Sequence, residues 1–158
     1  MKCLGIDPGK TNLGWAVLEK PDESEGSIQL LGRGYLDPSK KGLFETVEFF
    51  RDLGSSSHRI IIERYVAYEG VHNSASEDIL MLIGALTYAL GPSKVSHPRA
   101  ADWKVFMAKR SFKLGFRNPS ESFDKKYSIA LAEFITGVKP ETDHEADAIG
   151  LAAYGLLS

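Results

Sequence analysis

Acidic side chains that could share a metal ion stand in three widely separated parts of this sequence. Asp7 closes a short apolar run and is followed by the turn-forming pair Pro-Gly. Glu63 comes directly after three consecutive isoleucines. The last helical pattern opens with Asp143 and His144 and, about one turn further on, Asp147. Because residues three or four apart share a helix face, Asp147 can point the same way as His144 or Asp143.

Carboxylates gathered at one point repel each other, and an oxygen-ligated divalent cation is the usual reason for a protein to bring them together. Two Mg²⁺ or Mn²⁺ ions about 3.5–4 Å apart can activate a water and stabilise the departing oxygen of a phosphodiester. Each residue also has a simpler interpretation. Asp7 could cap its own turn, Glu63 could be the first solvated residue after a strand, and His144 could be an ordinary surface residue. The acids taken together favour a cation site for phosphodiester chemistry.

The elements that must position these residues follow from apolar spacing and turn signals. Strands are predicted to end at Asp7 and to span 13–18, 28–36, 59–63 and 94–96, and helices to span 42–53, 74–90, 98–109, 125–136 and 143–157. Thr142 and Glu145 have the spacing of a capping box at the start of the last helix. The continuous apolar run before Glu63 suits a central strand. The order predicts a mixed α/β sheet with helices on both faces.

Charge is distributed unevenly along a chain whose net charge is only −2. Residues 99–126 hold eight basic and three acidic side chains, so this stretch carries +5 and the rest of the chain −7. Within it, residues 110–124 are predicted to form a basic loop. The asymmetry fits a phosphate-facing segment beside an acidic, cation-binding region, although a solvated basic loop without function gives the same pattern.

Size and composition are those of an ordinary globular protein. With 158 residues the chain is expected to form a single domain, 1–158, with a sizeable core. No uncharged apolar stretch approaches the roughly 20 residues of a membrane span, and Met1-Lys2-Cys3 leads into a strand rather than a signal peptide. One cysteine cannot form an internal disulfide. A cytoplasmic protein without membrane contact is expected.

Several motifs in order resemble those of RuvC-type Holliday junction resolvases. The first is Leu-Gly-Ile-Asp-Pro-Gly over 4–9 with Leu-Gly-Trp-Ala-Val over 13–17, and the second is Ile-Ile-Glu over 61–63. The helix 144–152, His-Glu-Ala-Asp-Ala-Ile-Gly-Leu-Ala, resembles the final motif. Basic positions lie between them: His-Pro-Arg over 97–99, Lys104 and the pair Lys125-Lys126. The resemblance spans the whole chain, and the length suits a compact bacteriophage member acting in a bacterial or phage-infected host cell.

The resemblance implies a ribonuclease H-like fold and a homodimer that nicks two symmetric strands of a four-way DNA junction, with two Mg²⁺ (or Mn²⁺) ions per active site. Carried over by position, the metal site and catalytic residues are Asp7, Glu63, His144 and Asp147. Asp7 would bridge both ions, with Glu63 on one and Asp147 on the other. His144 could ligate an ion or shuttle a proton, and Asp143 is the alternative fourth ligand.

The same resemblance assigns DNA contacts. Lys104 and either Lys126 or Lys125 would contact phosphates, and Arg99 belongs to the same basic group. Tyr65 and Tyr68 follow Glu63, where the family carries aromatic residues that stack on exposed junction bases. They could instead pack their own loop or the dimer partner. The helix over 76–90 is apolar almost all round and is the expected dimer interface.

Three other functions remain open from the sequence. One is a ribonuclease H-like nuclease acting on RNA or on another branched DNA. Another is a sugar kinase or ATPase of the actin-like type, since residues 7–14 also resemble a first phosphate loop, but 158 residues leave no room for the second domain that this requires. The third is a catalytically silent DNA-binding module.

Overall fold

A computed structural model of the chain describes residues 1–21, 27–66, 74–116 and 122–158. The elements, in chain order, are β1 (Lys2–Asp7), β2 (Leu13–Glu19), β3 (Gln29–Leu36), α1 (Pro38–Lys41), α2 (Leu43–Gly54), β4 (Arg59–Ile62), α3 (Ser74–Leu90), β5 (Val95–Ser96), α4 (Ala100–Lys113), α5 (Lys125–Thr136) and α6 (Asp143–Leu157). Apart from the short helix α1, this order of strands and helices is the one that the sequence predicts.

The strands form one mixed sheet in the order β3-β2-β1-β4-β5. β1 and β2 are antiparallel, as are β2 and β3, whereas β4 runs parallel to both β1 and β5. The register pairs Ile6 of β1 with Ile62 of β4. The next residue of each chain segment is an acid, so Asp7 and Glu63 leave the sheet side by side at the same edge.

Helices cover both faces of the sheet, as predicted. Along β1, β2 and β4 successive side chains enter different cores, which is the alternation expected of strands. Leu4 and Ile6 belong to the core beneath α2 and α3, whereas Cys3 and Ile61 belong to the core beneath α4, α5 and α6. Strands β1, β2 and β4 are therefore buried on both sides, and a polar site can lie where these strands end.

Helix α6 lies directly on the backbones of β1 and β2 because two glycines make room for it. A Cβ atom at Gly5 would stand 2.2 Å from the carbonyl oxygen of Ala148, and one at Gly14 would stand 2.1 Å from that of His144. Real Cβ atoms do not approach backbone so closely. This close packing brings the first turn of α6 to the end of β1, where Asp7 lies.

The predicted end of α4 is wrong. The helix continues to Lys113 rather than stopping at residue 109, which shortens the basic loop. No glycine or proline interrupts 110–113, and Ser111 is buried at hydrogen-bond distance from the Tyr127 hydroxyl, 3.3 Å away. After α4, the first residue with a positive φ is Gly115, at +89°. The stop signal thus lies two residues beyond the last helical residue.

Helix α3 packs one face against the core through Leu82, Leu86 and Leu90. Its other face leaves Leu80, Met81 and Tyr88 exposed, Tyr88 by 85%. Within the described part of the chain, no helix combines the length and the apolar character needed to cross a membrane.

Candidate active site

The site begins with the two acids at the end of the central strands. The Glu63 backbone N–H donates to the carbonyl oxygen of Ile6, 3.1 Å away, which continues the parallel ladder by one residue. Both carboxylates therefore project from neighbouring, rigidly paired strands rather than from free loops. The register brings the early and the middle acid to the same end of the sheet.

The first turn of α6 adds His144 to this edge. Thr142 caps the helix as predicted, its hydroxyl accepting the Glu145 N–H at 3.1 Å. The Nδ1 atom of His144 lies 2.7 Å from Oδ2 of Asp7. The Asp7 side chain is only 13% exposed. A hydrogen bond thus joins residues that are 137 positions apart in the sequence.

Asp147 lies one turn further along the same helix, and both of its oxygens have partners. The Lys104 ammonium group approaches Oδ2 at 3.3 Å, and the Ser128 hydroxyl donates to Oδ1. Helices α4, α5 and α6 therefore meet at this carboxylate. The side chain of Asp147 remains 20% exposed, so it faces the surface of the sheet edge rather than the core.

Glu63 receives its hydrogen bond from the core. The indole N–H of Trp103 donates to Oε2 of Glu63 at 2.6 Å. Trp103 has no exposed surface. The motifs of the sequence do not include Trp103 in the site. The signal was present, because a buried indole N–H needs an acceptor.

The charges of the site act on one another. Burial raises the pKa of the Asp7 carboxyl, the hydrogen bond from His144 opposes that rise, and the charge of Asp147 adds to it. Burial also raises the pKa of Glu63, and the charges of Asp7 and Asp147 raise it further. The hydrogen bond to Asp7 raises the pKa of His144. Both shifts in the Asp7–His144 pair favour keeping a proton between them.

The chemistry of these donors fits a hard divalent cation: three carboxylates close enough to repel one another, two of them largely buried. The oxygens do not converge on one point, however. In the described residues no three histidine, cysteine or acidic side chains have a geometry that could hold a metal ion. The positive charges among the acids are those of Lys104 and, when protonated, His144.

A buried ion pair fixes the start of α6 behind the site. Glu145 is 2% exposed, and its Oε2 atom accepts from Arg33 of β3 and from the backbone N–H of Glu141, each at 2.6 Å. The sequence analysis used Glu145 only as a capping residue. Its role in joining α6 to an edge strand is set by tertiary packing over 112 positions of sequence.

Asp143, the alternative fourth ligand, points elsewhere. Its Oδ2 atom pairs with the Lys125 ammonium group at 2.5 Å. His144, not Asp143, contacts Asp7 in this structure. The two neighbours on α6 thus have different partners, one on the sheet edge and one at the start of α5.

The residues predicted to contact DNA that the structure describes have different surroundings. Lys104 is inside the cluster, while Arg99 pairs with Asp102 at 3.0 Å and Lys126 is exposed. The Tyr65 hydroxyl lies 3.1 Å from Oγ of Ser76 at the start of α3. Tyr68 lies outside the described residues.

No protein-family model matches the sequence, and no curated protein matches it significantly. Solved structures do match. RuvC of T. thermophilus, in complex with a Holliday junction substrate, is similar with a TM-score of 0.68 and 20% identity over 98% of this chain and 92% of RuvC. A fowlpox virus resolvase in complex with Holliday junction DNA is similar with a TM-score of 0.57 and 19% identity over the whole of both chains. The yeast mitochondrial Holliday junction resolvase Ydc2 is similar with a TM-score of 0.55 and 16% identity, and the match covers 96% of this chain and 77% of Ydc2.

These similarities, together with the mixed five-stranded sheet, define the fold as α/β and ribonuclease H-like. The fold class predicted from the sequence is confirmed.

Proposed function

We propose that this protein is a divalent-metal-dependent endonuclease that resolves four-way DNA junctions. The observation that carries the proposal is the meeting of Asp7, Glu63 and Asp147 at one sheet edge, with Lys104 and His144 among them. The fold around this edge is shared with T. thermophilus RuvC and a fowlpox virus resolvase, both solved with Holliday junction DNA, and with a yeast mitochondrial Holliday junction resolvase.

The carboxylates of Asp7, Glu63 and Asp147 would hold two Mg²⁺ or Mn²⁺ ions, with His144 as a fourth ligand or a proton carrier. When bound, such ions activate a water and stabilise the departing oxygen of the phosphodiester. Placing three acids at the end of rigid strands and on an adjoining helix gives the ligand oxygens a fixed frame. Their mutual repulsion supplies a reason for a cation to bind there.

The chain's own cationic groups would handle the phosphate and the proton. Lys104 can exchange its contact with Asp147 for a phosphate oxygen of the cleaved strand, since its ammonium group has freely rotating donors. His144 can hold or release a proton at Nδ1 while Asp7 keeps the ring oriented. The Ser128 hydroxyl keeps Asp147 from rotating by binding its other oxygen.

DNA binding would use the basic surface next to the acids. Arg99 lies just before α4, and Lys125 and Lys126 open α5. Contacts of such residues with phosphates give affinity without sequence preference. Tyr65 and Tyr68 would stack on bases exposed at the junction centre.

Resolution of a junction needs two nicks, and a homodimer would provide two sites related by a twofold axis. The exposed face of α3 supports this assembly, because Met81, Gly84 and Tyr88 recur at helical spacing there. A Cβ atom added at Gly84 would meet nothing within 4 Å, so a second helix can approach closely at this point.

The test is a cleavage assay on a four-way junction, a linear duplex and an RNA–DNA hybrid, each with Mg²⁺ and with Mn²⁺. We expect paired, symmetric nicks in the four-way junction only. Asp7→Asn should reduce turnover by about 10³-fold or more, since it removes an essential metal ligand, while junction binding persists.

Preferred cleavage of another branched DNA or of the hybrid would instead identify a nuclease with the same chemistry and a different substrate. Junction binding without any cleavage would contradict the enzymatic function. Retained cleavage in Asp7→Asn would remove Asp7 from the site.

A further inference from the structure

We infer that Trp103 is a positioning residue for the proposed metal site, orienting Glu63 directly and Asp147 through Lys104. The inference rests on the proposed function, because it assigns Trp103 a role toward ligands of the ions. Three contacts carry it, and each comes from a different part of the same indole ring.

The first contact fixes Glu63. This acid follows the last residue of β4, and its side chain could rotate away from Asp7. The Trp103 N–H holds Oε2 at 2.6 Å. Since the donor is buried and charge-assisted hydrogen bonds are the stronger kind, the carboxylate has one preferred orientation.

The second contact fixes the ring itself. A Cβ atom at Gly150 of α6 would lie 2.6 Å from ring atom Cζ3 of Trp103. The indole therefore packs against the helix backbone at a position where any side chain would displace it. Phe123 closes another side, edge to face, with the ring centroids 5.5 Å apart. The indole N–H thus has a fixed place relative to α6, the helix that carries Asp147.

The third contact reaches Asp147. The Lys104 ammonium group lies 5.1 Å from the Trp103 ring centroid and 5.5 Å from that of Phe123, within the range of a cation–π interaction. The same group lies 3.3 Å from Oδ2 of Asp147. One buried indole therefore touches Glu63 and the lysine that contacts Asp147. The geometry between acids from β4 and α6 is set by a residue of α4 that is itself no ligand.

The experiment measures binding of Mn²⁺ alone by calorimetry for the wild type, Trp103→Phe and Leu86→Val. Phenylalanine keeps an aromatic ring in the core but removes the N–H donor. Partners that orient metal ligands are typically worth about 10-fold to 100-fold in metal affinity. We expect a loss of that size for Trp103→Phe and Mg²⁺-dependent cleavage that needs correspondingly more metal. Junction binding in EDTA should not change.

Leu86→Val is the control for lost packing, because Leu86 is fully buried in the core on the other side of the sheet. It should lower the melting temperature without weakening Mn²⁺ binding. Gly150→Ala is a second variant. It displaces the Trp103 ring, although the ring keeps its N–H group. It should weaken Mn²⁺ binding in the same way as Trp103→Phe.

A double-mutant cycle tests whether the effect passes through Glu63. In a Glu63→Gln background, Trp103→Phe should cause little further loss of Mn²⁺ affinity. Equal Mn²⁺ affinity in wild type and Trp103→Phe would overturn the inference and leave the proposed function standing. So would a loss in Leu86→Val as large as that in Trp103→Phe. A wild-type protein that binds no Mn²⁺ and cuts no junction would overturn the proposed function, and this inference with it.

Discussion

Asp7 and Glu63 carry their charges where folding removes most of the water around them. Burial and the charge of Asp147 raise the pKa of both groups, and the hydrogen bonds from His144 and Trp103 compensate only in part. A group whose pKa is higher in the folded state than in the unfolded chain weakens the fold whenever it is ionised. At the scale of single residues, the ionised carboxylates therefore lower the stability of the fold, and a bound cation can remove this destabilisation.

Glu63→Gln tests this destabilisation of the fold in the presence of a chelator. Glutamine keeps an oxygen that can accept the Trp103 N–H, and it removes the repulsion from Asp7 and Asp147. We expect the variant to be more stable than the wild type at neutral pH. The melting temperature should rise by about 2–4 °C for each kcal/mol removed. Cleavage activity should be lost.

The pH dependence of this difference has a definite sign. Below the ordinary Glu pKa of 4.5 the wild-type carboxyl is protonated in both states, so the two proteins should be equally stable. The advantage of Glu63→Gln should grow as the pH rises from 4.5 to the raised pKa of the folded protein and should then stay constant. Thermal melts of both proteins in EDTA across this range measure it. An advantage that is largest in acid would contradict the assignment.

At the scale of secondary structure, α6 is the element on which the site depends. It supplies His144 and Asp147, it packs on the glycines of β1 and β2, and Arg33 of β3 binds its first turn through Glu145. The helix is thus held at its start by a buried ion pair and along its length by backbone contact. Its position relative to Asp7 follows from packing that no local pattern encodes.

Gly14→Ala should displace α6. The new methyl group would stand 2.1 Å from the His144 carbonyl oxygen, and both partners are backbone in regular elements. Overpacking of this kind costs about 1–3 kcal/mol and sometimes more. We expect that loss in chemical denaturation, together with loss of cleavage at temperatures where the variant is folded.

Gly32→Ala is the matched control, since it lies on the neighbouring strand β3. A Cβ atom there would lie 3.4 Å from the Trp15 ring, an ordinary contact with the edge of a side chain. Its stability and activity should stay close to those of the wild type. Equal losses in both variants would mean that strand propensity, and not the approach of α6, is responsible.

The sequence predicted α5 and α6 to the residue because both carry local start signals, such as Thr142 with Glu145. The end of α4 and the four-residue helix α1 were not predicted. The end of α4 depends on the contact between the hydroxyls of Ser111 and Tyr127. Helix α1 is too short to show a helical spacing of apolar residues. In the site, the acids could be found because each ends or begins an element. Trp103 and Ser128 were not found. A buried donor shows only that some acceptor is needed, and not that Glu63 and Asp147, 40 and 19 positions away, supply it.

At the scale of the whole molecule, two lysines of the basic stretch 99–126, Lys104 and Lys125, pair with acids of α6 in a chain whose net charge is −2. The charges of this stretch should therefore act on DNA locally and be screened by salt. Among the DNA contacts proposed above, Lys126 is an exposed position outside the acid cluster. It allows phosphate binding to be tested without disturbing the ligands.

Lys126→Ala should weaken junction binding and lower the slope of log affinity against log salt concentration by about 1, the effect of one lost phosphate contact. The control is Lys41→Ala, an exposed lysine on α1. Binding titrations at several salt concentrations in EDTA give both slopes. An unchanged slope for Lys126→Ala would exclude this residue from the DNA surface.

Assembly is the remaining property of the whole molecule, and it is tested at Met81. This side chain is 56% exposed on the open face of α3, close to Gly84. In Met81→Glu, a buried unpaired carboxylate would oppose pairing of two such faces, at a cost of several kcal/mol. Sedimentation should show a dimer for the wild type and a monomer for the variant. Leu31→Glu, on an exposed residue of the edge strand β3, should remain dimeric.

With supercoiled cruciform DNA, the monomer should nick one strand where the dimer makes a linear product, because two sites must act within one bound complex. A dimeric Met81→Glu that still linearises the cruciform would place the contact between subunits elsewhere, and a monomeric wild type would contradict the proposed dimer.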